Sequence, residues 1–167
     1  MPHMYFFFFF KEFFRIKEKS ANRFITINYN DNNLVLMAEN ESRNLNQLWF
    51  WDQQFLRNKA DPSRVLGIDV YSTDDNERFG RLKSFPTKGT NSPSVTNLNS
   101  IIVEKDTTSS TTTELQFEIQ EGELICKWDN LDFRISYNES NRVVGCTDRD
   151  DSNPQKWELL YGKAINS

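Results

Sequence analysis

Residues 47–59 read QLWFWDQQFLRNK, and residues 155–167 read QKWELLYGKAINS. Each stretch gives Gln, one residue, Trp, a short polar interruption, then an apolar residue and an Asn. A weaker third copy, ELQFEIQEGELICK at residues 114–127, carries Phe117 where the others carry Trp49 and Trp157. Gln54, Gly122 and Gly162 follow these aromatics at the same distance, and an apolar stretch comes next each time. Internal repetition of this kind constrains the fold more tightly than composition does, because each copy must bury its apolar face against its neighbours. The unit reads as a hairpin linking two barrel strands. Its Trp or Phe fills the interior, where an aromatic ring buries a large apolar area. The Gln two residues earlier, Gln47 or Gln155, lies on the same face of the strand by alternation. Its buried amide then needs backbone partners in a neighbouring loop. Three copies imply threefold pseudo-symmetry.

The rest of the body is short and strand-like. Residues 24–28 and 34–38 are β-rich runs separated by the turn-forming residues 30–33, and similar runs recur to residue 160, giving about twelve strand candidates. No long amphipathic helix is visible. Residues 86–100 (PTKGTNSPSVTNLNS) and 106–113 (DTTSSTTT) read as loops, with an additional strand-like run around Ile101 between them. The spacing suggests an all-β sandwich or barrel, and the repetition selects the barrel. The repeats run roughly over 23–52, 54–119 and 122–161, with the first one short and its third strand, near residues 41–46, hard to see.

Composition narrows the chemistry. His3 is the single histidine, so no imidazole in the body can serve a Ser-His-Asp or Cys-His nucleophile. No metal site is expected, because His-based zinc sites fail on the same count and two cysteines cannot form a thiolate cage. The acidic run at residues 148–151 lacks the alternating oxygen ligands of a calcium loop and reads as a solvated turn. Carboxylate-only chemistry, as in glycoside hydrolysis, is the catalytic class left open. The net charge of −4, from 20 basic and 24 acidic residues spread along the chain, argues against nucleic-acid binding. Cys126 and Cys146 could pair in an exported chain and would stay reduced in the cytosol. The sequons at Asn40 and Asn138 matter only in a secretory setting.

The first residues, MPHMYFFFFFKEFFRIKEKS, form a Phe-rich leader over 1–22, read as disordered or as a short helix, ahead of a domain spanning 23–167. Its apolar run is too short and too interrupted for a signal peptide, which slightly favours the cytoplasm as the location. Membrane contact by residues 5–16, as an amphipathic surface helix, is a lesser reading.

At this point the chain resembles the ricin B-type β-trefoil lectins, whose repeats carry a Gln-x-Trp motif followed by a Gly-x-Ile-x-Asn-like strand. The matching residues are Gln47-x-Trp49 with Leu56-Arg57-Asn58, and Gln155-x-Trp157 with Gly162; Phe117 marks the degenerate third copy. The resemblance covers roughly residues 23–167 and implies a β-trefoil of three pseudo-repeats. It also implies a non-enzymatic, carbohydrate-binding module without a cofactor, whose partners are glycans or glycoproteins. In such lectins an Asp accepts hydrogen bonds from two sugar hydroxyls, a ring stacks on the apolar sugar face, and an amide lies nearby. Those roles fall on Asp69, on Phe85 (less well on Tyr71 or Phe79) and on Asn91. In the first copy Met37 or Ala38, and in the third Ser136, occupy the Asp position, so a single site is expected. The competing reading is a trefoil that binds or inhibits proteins through the 86–113 loop, since long loops carry function.

Overall fold

The computed structural model describes residues 12–38, 45–53, 55–74, 77–86, 100–104, 115–128, 131–140, 142–147 and 154–162. Most of the 86–113 loop, the acidic run at 148–151 and residues 1–11 of the leader lie outside them. Among the described residues the chain is all-β, with thirteen strands and a 3-10 turn at Leu45–Gln47. The first unit contains β1 (Phe14–Glu18), β2 (Arg23–Asn28), β3 (Asn33–Ala38) and β4 (Trp49–Asp52). The second contains β5 (Phe55–Asn58), β6 (Arg64–Asp74), β7 (Glu77–Pro86), β8 (Ser100–Glu104) and β9 (Leu115–Gln120). The third contains β10 (Glu123–Trp128), β11 (Leu131–Asn138), β12 (Val143–Thr147) and β13 (Trp157–Tyr161).

The strand beyond the expected twelve is β1, and it moves the domain boundary placed after residue 22. Phe14, Ile16 and Glu18 alternate inward, with Phe14 and Ile16 in the central core cluster. The short first repeat is short no longer, because its opening strand lies in the Phe-rich segment. The interleaved Lys and Arg that suggested an amphipathic surface helix have the alternation of a strand with one wet face. The run around Ile101 is strand β8, which pairs with β5 and β6 and lies parallel to β9.

Three strand pairs repeat one register. Trp49 stands opposite Asn58 in β4–β5, Phe117 opposite Cys126 in β9–β10, and Trp157 opposite Glu18 in β13–β1. The first two pairs are hairpins with two-residue loops. Their turns require left-handed backbone, found at Gln53 (φ 55°), Glu121 (φ 52°) and Gly122 (φ 82°). The third pair has no covalent turn and is made by strands from opposite ends of the described chain. A backbone bond from Trp157 N–H to the Gly122 carbonyl, 2.6 Å, joins β13 to the turn before β10. Contacts between strands therefore run in a circuit.

The Gln-x-Trp motif is structural. The Trp49 indole N–H donates to the Ile25 carbonyl at 3.2 Å, and the Trp157 indole donates to the Ile135 carbonyl at 3.0 Å. Both rings are fully buried, where an indole N–H needs a partner. Gln47 Nε2 donates to the Ala38 carbonyl at 2.8 Å, while Gln155 Oε1 accepts from the Tyr137 N–H at 2.7 Å. The outer hairpins β2–β3 and β11–β12 are also copies. Asn28 and Asn138 each accept a backbone N–H two residues on, and each carbonyl takes the N–H of Asn32 or Arg142, both at positive φ. Cys126 and Cys146 are buried free thiols, and burial, with a smaller effect of Cys146, pushes the Cys126 thiol well above its ordinary value.

Replacing Phe14 by Ala should leave a cavity at the seam and lower the unfolding free energy by about 3–5 kcal/mol in a denaturant titration. A second test concerns Tyr29, whose hydroxyl donates to Asn58 Oδ1 at 3.0 Å. Burial, and then the Asp61 charge, raise its pKa from 10.0 to about 12. The folded state thus holds the phenolic proton longer than the unfolded chain does. Its stabilising contribution is complete below the unfolded value and is lost as pH rises through the folded one. Melting temperature should fall between pH 10 and about 12, with a shallower fall in Tyr29→Phe.

Candidate functional site

The long hairpin β6–β7 carries the residues expected to bind sugar. One of its faces, with Leu66, Ile68 and Leu82, belongs to the core cluster. The other face carries Asp69, Arg81 and Phe85 by alternation. Asp69 is half-buried and stands opposite Arg81 of β7 on one side and Ser100 of β8 on the other. Phe85 is half-buried and stands opposite Val65, four positions from the Asp69–Arg81 pair along the ladder. Four residues of strand correspond to about 13 Å. The hairpin therefore places Asp69 and Phe85 on one face without bringing them side by side. The Tyr71–Phe79 pair is nearer in register, two positions away. Asn91 lies outside the described residues.

Gly80 lets this hairpin pack closely against β12. A Cβ there would come 2.6 Å from Ile68 Cγ2, 2.9 Å from Cys146 Sγ and 3.2 Å from the Asp69 carbonyl oxygen. Gly80→Ala should accordingly destabilise the protein by about 1–3 kcal/mol, measured by chemical unfolding, through overpacking beside Asp69.

The equivalent positions in the other copies need one correction. Met37 and Ala38 lie on β3, the return strand of the first hairpin. With Ile25 matching Ile135 as the indole acceptor, the residue that copies Ser136 is Thr26. Thr26 is buried, and its hydroxyl bonds the Phe24 carbonyl and Gln47. The counting error followed from omitting β1. Neither Thr26 nor Ser136 is a carboxylate.

A second feature was missed from sequence. The turn after β1 and the third unit enclose a cleft of about 580 Å³ lined by Lys19, Ser20, Ser136, Tyr137 and Gln155 among others. Its floor includes Glu18, which accepts from Arg23 Nε at 2.8 Å and from Ser20 Oγ at 3.2 Å. Arg23 also pairs with Glu139 at 2.9 Å and lies 5.1 Å over the Tyr137 ring. Assigning residues 18–20 to a leader hid this cleft, since three of its eight lining residues come from them. Among the described residues no cluster of three or more His, Cys, Asp or Glu is placed to hold a metal.

No protein-family model matches the chain, and no curated protein matches it. Solved structures do. The C-half of an earthworm R-type lectin, determined in complex with GalNAc, superposes with a TM-score of 0.54 at 14% identity, over 90% of this chain and 99% of that one. A mutant of an earthworm lectin C-terminal domain, in complex with 6'-sialyllactose, gives a TM-score of 0.52 at 12% identity with the same coverage. At these identities the likeness is one of fold, and the chain has the fold of the R-type, ricin B-like lectin domains.

Proposed function

We propose that the protein is a non-enzymatic, carbohydrate-binding β-trefoil, with Asp69 as the carboxylate that accepts sugar hydroxyls. The observation that carries this reading is the fold likeness over 90% of the chain to a lectin half solved with GalNAc. The repeated Trp–carbonyl bonds and the shared register of β4–β5, β9–β10 and β13–β1 support the trefoil architecture. Asp69 is the one carboxylate among the matched positions, with Thr26 and Ser136 in the other copies, which supports a single site of this type. A single, shallow site binds weakly. Phe85 and Asn91 complete the proposed site as the stacking ring and the amide. Because Phe85 lies four positions along the ladder from Asp69, the pair suits a saccharide of more than one ring.

A glycan array probed with wild type and Asp69→Ala tests the reading. The wild type should retain a defined set of glycans, and Asp69→Ala should lose about 1–3 kcal/mol of affinity for them, the cost of leaving buried hydroxyls unpaired. A wild type that retains no glycan refutes the carbohydrate function. Unchanged binding by Asp69→Ala refutes the site and leaves the function standing.

A further inference from the structure

The open end of the β1–β13 seam differs from its two copies in what it presents to solvent. Beyond the Trp49 and Phe117 pairs, the β4–β5 ladder stops at Asp52–Phe55 and the β9–β10 ladder at Gln120–Glu123. The residues that turn the chain there are polar or glycine: Gln53 and Gln54 in one copy, Glu121 and Gly122 in the other. At the seam the matching pair is Arg15–Leu160, and the ladder runs one step further, to Phe14–Tyr161. An aromatic rung thus stands where the other copies carry a polar turn, with its two rings 5.4 Å apart.

Apolar surface collects around this rung. Tyr161 is 55% exposed and Leu160 40%, two of the five large apolar side chains exposed among the described residues. Phe13 is half-buried and packs edge-on against Phe50 at 5.4 Å, while the Lys59 ammonium lies 4.2 Å over the Phe13 ring. Ahead of Phe13 the sequence reads YFFFFFKE, so an uncharged aromatic run, Tyr5 to Phe10, leads to the rung through Lys11 and Glu12. Phe10 is four positions from Phe14, which ties the end of the run to within about 14 Å of the rung even in fully extended chain.

We propose that this end of the seam docks on a lipid bilayer, with Tyr5–Phe10 and Tyr161 entering the boundary between headgroups and acyl chains. The carbohydrate reading is independent of it. Because β1 is a strand held in the seam, the contact falls on the run ahead of it rather than on a surface helix over residues 5–16. Composition favours lipid over a protein groove. A strand or helix that docks on a protein keeps polar positions for its wet face, at a period of two or 3.6. Tyr5–Phe10 has none, which suits surroundings that are apolar on every side. Such a run reaches about 20 Å, less than the roughly 30 Å of hydrocarbon that a span must cross. Its backbone therefore stays within reach of water and headgroups, which supply hydrogen bonds that hydrocarbon lacks. Tyrosine combines the apolar ring and polar tip favoured at membrane–water boundaries. Lys11 follows the run and Lys59 sits over Phe13, cations on apolar stems beside the surface that would meet lipid phosphates. The net charge of −4 gives no long-range attraction to an anionic surface, so apolar contact carries the affinity.

Flotation of the full chain through a density gradient with phosphatidylcholine vesicles tests this, and such vesicles carry no glycan. The wild type should float with the vesicles, and equally well in about 0.5 M salt, where exposed charges are screened. Phe7→Ser combined with Phe9→Ser should reduce the bound fraction by about tenfold or more, at unchanged melting temperature because both precede β1. Leu160→Ser combined with Tyr161→Ser should reduce it by about threefold. Asp69→Ala should float like the wild type, which separates this outcome from that of the sugar site. A wild type that stays at the bottom of the gradient overturns the bilayer assignment. So does a Phe7→Ser, Phe9→Ser variant that floats as the wild type does, or binding that is lost at high salt. Pelleting without vesicles, relieved by the same two substitutions, overturns it in favour of contact between copies of this chain.

Discussion

The antiparallel seam between β1 and β13 is the constraint on which the rest of this fold depends. Five registered pairs, from Phe14–Tyr161 to Glu18–Trp157, join segments some 140 residues apart, with Lys17 bonded to Glu158 at 3.2 Å. Bringing such distant segments together costs roughly 4 kcal/mol of loop-closure entropy on simple chain statistics. The return comes from complete burial of Phe14, Ile16 and Trp157 in one cluster. Without the seam, Trp157 would lose its cross-strand partner and β1 would offer its apolar face to water. The other two copies of this strand pair have a covalent turn to hold them. The seam has only side chains and ladder bonds, so packing must do there what connectivity does elsewhere.

Repetition also explains how one backbone frame yields different local chemistry. The Lys59–Leu48 and Lys19–Lys156 backbone bonds are the same interaction in two copies. What surrounds them differs: neutral amides and a phenol at one junction, two carboxylates and an arginine at the other. Neutral groups meet across the junction and exclude solvent. Charged groups favour a partner that neutralises them, and Arg23 satisfies two carboxylates from one side. The same backbone frame thus holds a filled junction in one copy and a cleft in the other. This is how a symmetric scaffold can specialise one of its equivalent positions while the others remain structural.

Much of the architecture was legible in the sequence, because the residues that define it obey local rules. Buried indoles and amides must find partners, and the spacing of Gln47-x-Trp49 and Gln155-x-Trp157 placed those partners on neighbouring strands. The strand runs stood out through β-branched and aromatic residues between turn-forming Asn and Asp. The first strand was illegible for a physical reason: FRIKE follows a run of phenylalanines whose hydrophobicity hides the period of two in the five residues after it. The sites were less legible than the fold. Asp69 was named only through the family resemblance, and its distance from Phe85 is a property of register, which a sequence read one strand at a time does not contain. The cleft depends on Lys19 and Gln155 meeting across the seam, and nothing local to either residue announces the other.

The seam also sets an order of events. Among the described strands β1 emerges from synthesis before its principal partner β13, with the other eleven between them. Throughout that interval Phe14 and Ile16 sit on a strand with one unsatisfied edge, the geometry that templates pairing with other chains. In a partly folded chain the β13 of a neighbouring molecule presents the same register as the chain's own. Two molecules that exchange these strands would keep each Trp157 opposite a Glu18, and the exchange would be favoured by concentration alone. A scaffold that closes through strands so far apart in sequence therefore holds the geometry for strand exchange within its own folding.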